Sequence, residues 1–215
     1  MPDLKRRAMV NGLLAAAGVA GARARARADT TKMEEPLMST AAHGPGFAET
    51  LLAHGPHPSL GKHADTFGRL IGSWAGEYRD ESPGEPVETG PIEVHFGWVL
   101  QGRAVQDTWI APPRALRAGA TLLKRNTYGT TIRVFHPELE AWRAVWLNPI
   151  RGERNDLIGR RVGDDIVQFC LDADRPEKWI FSRITARSFL WRAFLLGDDG
   201  VTWRVDTEFQ FHRTT

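Results

Sequence analysis

Five polar side chains lie on segments that read as β-strands and have chemistry to offer a bound molecule: Gln106, Thr108, Arg161, Gln168 and Arg183. They are candidates if the strand face carrying Phe96 and Trp98 points inward. Small-molecule sites combine apolar walls with a few placed polar groups. An inward Arg161 or Arg183 would suit an acidic or enolate-bearing ligand through charge-assisted hydrogen bonds. The opposing reading is that these arginines face solvent and pair with surface acids, since buried charge is rare. Apolar walls are expected from Phe96, Trp98, Trp146 and Trp191, with Phe181, Trp203 and Phe209 beside them. Aromatics at alternating positions are core in any barrel, so on their own they indicate no ligand.

Other reactive residue types carry less. Asp80 with Glu81, and Asp164 with Asp165, sit in turns, where acids are expected for backbone hydrogen bonding. His54 and His57 have a metal-clipping spacing, but they flank a proline in a polar loop and lack a rigid support. His95, His136 and His212 are the candidates for an axial ligand, should the barrel hold haem, and none has a supporting motif. Cys170 stands alone in an apolar strand, so no intrachain disulfide and no CxxC motif exists. GxSxG, HExxH, P-loop and GxGxxG motifs are absent. The sequence calls for no metal and no cofactor.

The elements that must position these residues are short strands. From Ile71 onward, turn signals recur every ten residues or so, the all-β pattern. Ten strands are expected: 73–79, 92–100, 103–110, 129–135, 141–147, 156–162, 166–171, 179–185, 189–196 and 201–211. In the second, Ile92, Val94, Phe96, Trp98 and Leu100 share one face. In the last, Val201, Trp203, Val205, Thr207, Phe209 and Phe211 share one face. Hairpin-length connections predict sequential antiparallel pairing. A meander this long leaves costly edges unless it closes. The fold class is therefore all-β, an antiparallel up-and-down barrel of about ten strands, wide enough for one small ligand. An open sandwich is the alternative, because periodicity does not report closure.

The run Leu70-Ile71-Gly72-Ser73-Trp74-Ala75-Gly76-Glu77 resembles the first strand of the calycin superfamily, the lipocalins and their relatives. The stretches Phe96–Arg103, Trp146-Leu147-Asn148-Pro149 and Asp199–Trp203 are similar to an uncharacterised family of bacterial lipocalin-like barrel proteins. The resemblance implies a structural role for Trp74, closing one barrel end beneath Arg213 as a cation–π cap.

The 215-residue chain has no run approaching the ~20 apolar residues of a membrane-spanning helix. Its net charge of +2 conceals an asymmetry. Residues 1–28 hold six basic side chains and one acid, and the remainder holds 22 basic and 25 acidic residues. A mildly acidic domain is not a nucleic-acid binder. Residues 1–28 read as a twin-arginine-like signal peptide: Lys5-Arg6-Arg7, a weakly apolar Ala8–Ala22, and Ala26-Arg27-Ala28 before Asp29. That predicts an exported protein; a start at Met33 or Met38 would leave it cytoplasmic. Residues 29–64 read as a flexible linker with a short helical turn at Phe47–Ala53, and 65–215 as the barrel domain. A helix over Lys62–Leu70 is expected to plug the barrel bottom.

The partner expected is a small hydrophobic or amphipathic ligand. The alternatives are a cofactor-free cyclase, isomerase or hydratase acting on a polyketide-like or isoprenoid substrate, and a haem-binding barrel. A homodimer is compatible with the sequence.

Overall fold

The computed structural model describes residues 46–81, 84–118, 125–171 and 176–214. The leader, Met33, Met38, His43-Gly44-Pro45 and the Ser82-Pro83 part of a turn lie outside them. The described chain begins with α1 (Phe47–Leu51), whose Glu49 accepts the Gly46 N–H at 3.0 Å. It continues through β1 (Leu52–Ala53), a 3-10 turn at Pro58–His63, and α2 (Ala64–Gly68). So α1 lies within Phe47–Ala53, where a short helical turn was expected, while β1 and the 3-10 turn were not foreseen.

Ten strands follow: β2 (Gly72–Asp80), β3 (Glu88–Val99), β4 (Ala104–Ala111), β5 (Thr127–His136), β6 (Ala141–Asn148), β7 (Glu153–Val162), β8 (Asp165–Cys170), β9 (Glu177–Ser182), β10 (Ser188–Leu196) and β11 (Trp203–Arg213). One helical turn, α3 (Arg114–Arg117), lies between β4 and β5. Each strand pairs antiparallel with the next, and β11 pairs back onto β2, with Thr207 opposite Asp80 and Arg213 opposite Trp74. The meander closes, as expected, and no edge remains among the ten. The eleventh strand, β1, sits beside the end of β3, where Leu52 opposes Val99. There β2 has not yet begun, and β1 takes its place. This is why Val99, on the outward face by alternation, is buried.

Inward residues follow strict alternation along most strands: Ile92, Val94, Phe96 and Trp98 on β3, then Val105, Asp107 and Trp109 on β4. Leu100, grouped with the first set by sequence, instead enters the turn at φ 52° and is exposed.

One irregularity changes the inside of the barrel. Ala193 opposes Thr207, but Phe194 opposes Val205, so Asp206 is an extra residue in β11. A one-residue bulge flips every side chain beyond it to the other face. Trp203 and Val205 therefore leave the face shared by Thr207, Phe209 and Phe211. Trp203 meets the exposed Phe169 at 6.5 Å and lies 4.0 Å from Lys178 Nζ. The expectation that Trp203 forms an inner wall is corrected: it faces outward.

The barrel bottom is closed by α2. Phe67 is fully buried and meets Trp142 edge-on at 5.3 Å and Phe181 at 6.2 Å. Burying each such ring contributes about 1.5–3 kcal/mol. At this same end Trp74 donates its indole N–H to Leu70 O at 2.8 Å. Arg213 lies 4.0 Å over the Trp74 ring. Its Nη1 donates to Ile71 O at 2.7 Å and its Nε to Ala186 O at 2.8 Å. Gly72, at φ 128°, leaves the space that Arg213 Nη1 occupies; a Cβ there would lie 2.2 Å from it.

Candidate functional site

The opposite end is where β2, β4, β6, β8 and β10 finish. There the closed sheet leaves a cavity of about 490 Å3. Its walls are Trp109 of β4, Trp146 of β6, Trp179 of β9, Trp191 of β10 and Phe209 of β11. The rings touch in series. Trp146 meets Trp179 at 6.4 Å, Trp179 meets Trp191 at 5.5 Å, and Trp191 meets Trp109 at 5.6 Å. Edge-to-face and tilted contacts at these spacings hold the rings in place without filling the space between them. Gly129 of β5 makes room for one of them. A Cβ at Gly129 would stand 2.3 Å from the Trp146 ring, so Trp146 packs this close to β5 only because residue 129 has no side chain.

The mouth is polar. Arg125 donates through Nε to Asp80 Oδ2 at 2.8 Å, and its Nη2 also contacts Asp80. Thr207 Oγ1 donates to Asp80 Oδ1 at 2.9 Å. The Arg125 guanidinium covers the rings of Tyr78 and Phe209 at 5.2 and 5.1 Å. Below it Tyr78 donates to Glu88 Oε1 at 3.0 Å; burial and this carboxylate push the phenol up to about 12, so it stays a neutral donor. On the other side Glu177 accepts from Trp179 Nε1. Burial, with smaller effects of Asp206 and Glu153, raises the Glu177 carboxyl above its ordinary range. The Trp179 hydrogen bond acts in the opposite direction.

Deep inside, Arg133 of β5 lines the cavity and is 1% exposed. Its Nη1 lies 2.7 Å from Asp107 Oδ2, an ion contact whose angles are not those of a hydrogen bond. Asp107 Oδ1 accepts the Thr131 N–H at 2.7 Å. The guanidinium also stacks over Phe67 at 4.9 Å and Phe96 at 5.8 Å. Buried polar groups are normally satisfied, yet Arg133 Nε has no acceptor among the described residues.

The structure separates the expected residues into three groups. Trp146 and Trp191 line the cavity, as does Phe209. Phe96, Trp98 and Phe181 are interior but lie toward the closed end. Phe96 packs on Phe181 and Phe189, and Trp98 sits against Gly68 of α2.

The polar candidates are corrected. Gln106 and Thr108 are on the outer face of β4, because Val105, Asp107 and Trp109 take the inner one; Gln106 Nε2 donates to Thr130 Oγ1 at 3.0 Å. Arg161 shares its alternation with the inward Leu157 and Gly159. It comes at the closed end of β7, however, and turns out to Asp65 of α2 at 2.8 Å. Arg183 follows the end of β9 at φ 50° and is exposed. Gln168 is fully buried, with neither amide atom hydrogen-bonded among the described residues, but it does not line the cavity. No histidine lines the cavity among the described residues.

Sequence reasoning passed over Trp109, Trp179, Arg133 and Asp107. For Arg133 a signal was present: on β5 the half-exposed Val134 and Tyr128 alternate against the buried Thr131 and Arg133, an inverted pattern.

No protein-family model matches the chain, and no curated protein matches it. Similar solved structures include these two. Rv2717c from M. tuberculosis has 15% identity and a TM-score of 0.49, covering 74% of this chain and 99% of its own. The S-type phycobiliprotein lyase CPES from Guillardia theta has 10% identity and a TM-score of 0.46, covering 70% and 92%.

Proposed function

We propose that the barrel binds one small hydrophobic or amphipathic molecule in its open-end cavity. The observation that carries this reading is the cavity itself, about 490 Å3 between four tryptophans and Phe209. That volume falls within the roughly 300–1,000 Å3 of small-molecule sites. The calycin resemblance of the sequence supports the same reading, a container closed at the Trp74 end. Native mass spectrometry of the protein purified from its own host tests it. A bound mass released on denaturation is the expected result. Bare protein that also fails to take up fluorene would overturn the reading.

A catalytic use of the same cavity, as a cyclase, isomerase or hydratase, is favoured by one observation. Glu177 is a half-buried carboxyl with raised proton affinity at the cavity mouth, the property a general acid needs near neutral pH. Loss of turnover in Glu177→Gln with retained ligand binding would support it, and unchanged turnover would contradict it. Haem is the weaker reading, since the cavity offers no imidazole as axial ligand among the described residues.

We also propose that residues 1–28 direct the protein out of the cytoplasm, as their twin-arginine-like pattern suggests. An intact mass beginning at Asp29 is expected; one beginning at Met1, Met33 or Met38 contradicts it.

A further inference from the structure

Resting on that reading, we infer that the ligand is a flat, uncharged molecule carrying a carbonyl oxygen at its leading end, and that Arg133 donates a hydrogen bond to that oxygen at the cavity floor.

Arg133 is the deepest polar group of the cavity. Its Nε has no acceptor among the described residues, and its Nη1 meets Asp107 off the hydrogen-bond axis. An N–H left unpaired at 1% exposure costs about 1–3 kcal/mol, more on a charged group. A ligand oxygen that reaches the guanidinium recovers that cost.

Charge decides which kind of oxygen. Asp107 already balances Arg133, so the floor has no excess positive charge to neutralise an incoming anion. The route in is acidic. Among the described residues the acids Asp80, Glu153 and Glu177 line it, with Arg125 and Arg151 as the cations besides Arg133. Both are engaged, Arg125 with Asp80 and Arg151 with Glu153 at 2.8 Å. A carboxylate would pass through this field and end beside Asp107, and like charges at close range are unfavourable. A carbonyl accepts the same hydrogen bond without that repulsion. The shape follows from the walls: indole faces stack best on planar groups.

The experiment uses three probes of one shape: 9-fluorenone, fluorene, which lacks the oxygen, and fluorene-9-carboxylate. Equilibrium dialysis against the whole protein measures each. Fluorenone is expected to bind about tenfold more tightly than fluorene, the size of one hydrogen bond to a charged donor, although it is the less hydrophobic of the two. The carboxylate is expected to bind most weakly. In the double variant Asp107→Asn, Arg133→Gln the fluorenone preference falls to about one while fluorene affinity holds. If that variant does not fold, Arg133→Lys replaces it, since it keeps a cation beside Asp107 and loses Nε. Equal binding of fluorenone and fluorene by the wild type overturns the inference and leaves the cavity reading standing. So does tightest binding of the carboxylate, or a preference that survives loss of Arg133. Failure of all three probes to bind overturns both.

Discussion

The two ends of this barrel are built from the same residue types and differ in what they leave undone. At the closed end a tryptophan and an arginine satisfy each other and the backbone. Trp74 donates to Leu70 O, and Arg213 stacks on Trp74 while donating to the carbonyls of Ile71 and Ala186. At the open end four tryptophans line a cavity, and at its floor Arg133 keeps an N–H without an acceptor among the described residues. Close packing and complete hydrogen bonding stabilise a fold. Space and unpaired donors cost stability, and in a native protein they are placed where something else supplies the missing contacts. The comparison teaches that aromatic content does not locate a site; incompleteness does.

The sharpest way to break this contrast is to truncate one tryptophan at each end. Trp74→Ala removes a fully buried ring and is expected to cost about 3–5 kcal/mol in chemical denaturation. Trp191→Ala removes a ring already lacking neighbours on one side, and should cost about 2 kcal/mol or less. Equal costs would mean the two ends are packed alike.

Asp107→Ala tests the boundary between the ends. It leaves the Arg133 charge buried and unpaired, which costs about 3–5 kcal/mol; a loss below about 1 kcal/mol in urea unfolding would show that the pair is not desolvated. Gly129→Ala pushes a methyl into the Trp146 ring. Overpacking of this kind costs about 1–3 kcal/mol, and fluorene affinity should drop about tenfold with the displaced wall. Unaltered affinity would remove Trp146 from the site.

Glu177 gives the open end a pH signature. Burial raises its folded-state proton affinity above the ordinary value of 4.5. The stability from the protonated form is complete below that value and is lost as pH rises through the raised folded value. Wild type should therefore lose stability relative to Glu177→Gln from about pH 4.5 upward, followed by melting at several pH values; parallel curves would contradict the shift. The smallest effect belongs to Arg161→Ala, an exposed pair with Asp65, expected within about 1 kcal/mol and silent in ligand binding.

The fold was legible because alternation and turn chemistry are local. All ten strands of the sequence reading correspond to β2–β11, with ends displaced by a few residues. The Trp74–Arg213 floor is where the family resemblance puts it, although only the geometry shows the carbonyls that hold Arg213. The apolar lining of the cavity was legible in part: Trp146, Trp191 and Phe209 were expected, Trp109 and Trp179 were not. One apolar wall and the polar lining were misread, for three separate physical reasons. The Asp206 bulge reverses Trp203, and a bulge leaves no mark in periodicity. Arg161 has inward alternation at the wrong end of its strand, and a strand's two ends look alike in sequence. Arg133 and Asp107 break the rule that charges face water, because each is the other's partner across β4 and β5. Pairs of that kind become visible only when the register is known.

Backbone-to-indole NMR tests the central claim most directly, because each of the eight tryptophans reports on a different place. With 15N-labelled protein and saturating 9-fluorenone, the indole N–H signals of Trp109, Trp146, Trp179 and Trp191 should shift, while those of Trp74, Trp98 and Trp203 stay in place. Shifts confined to Trp203 or to Trp74 and Trp98, or no shift at any indole, would contradict a ligand site at the open end.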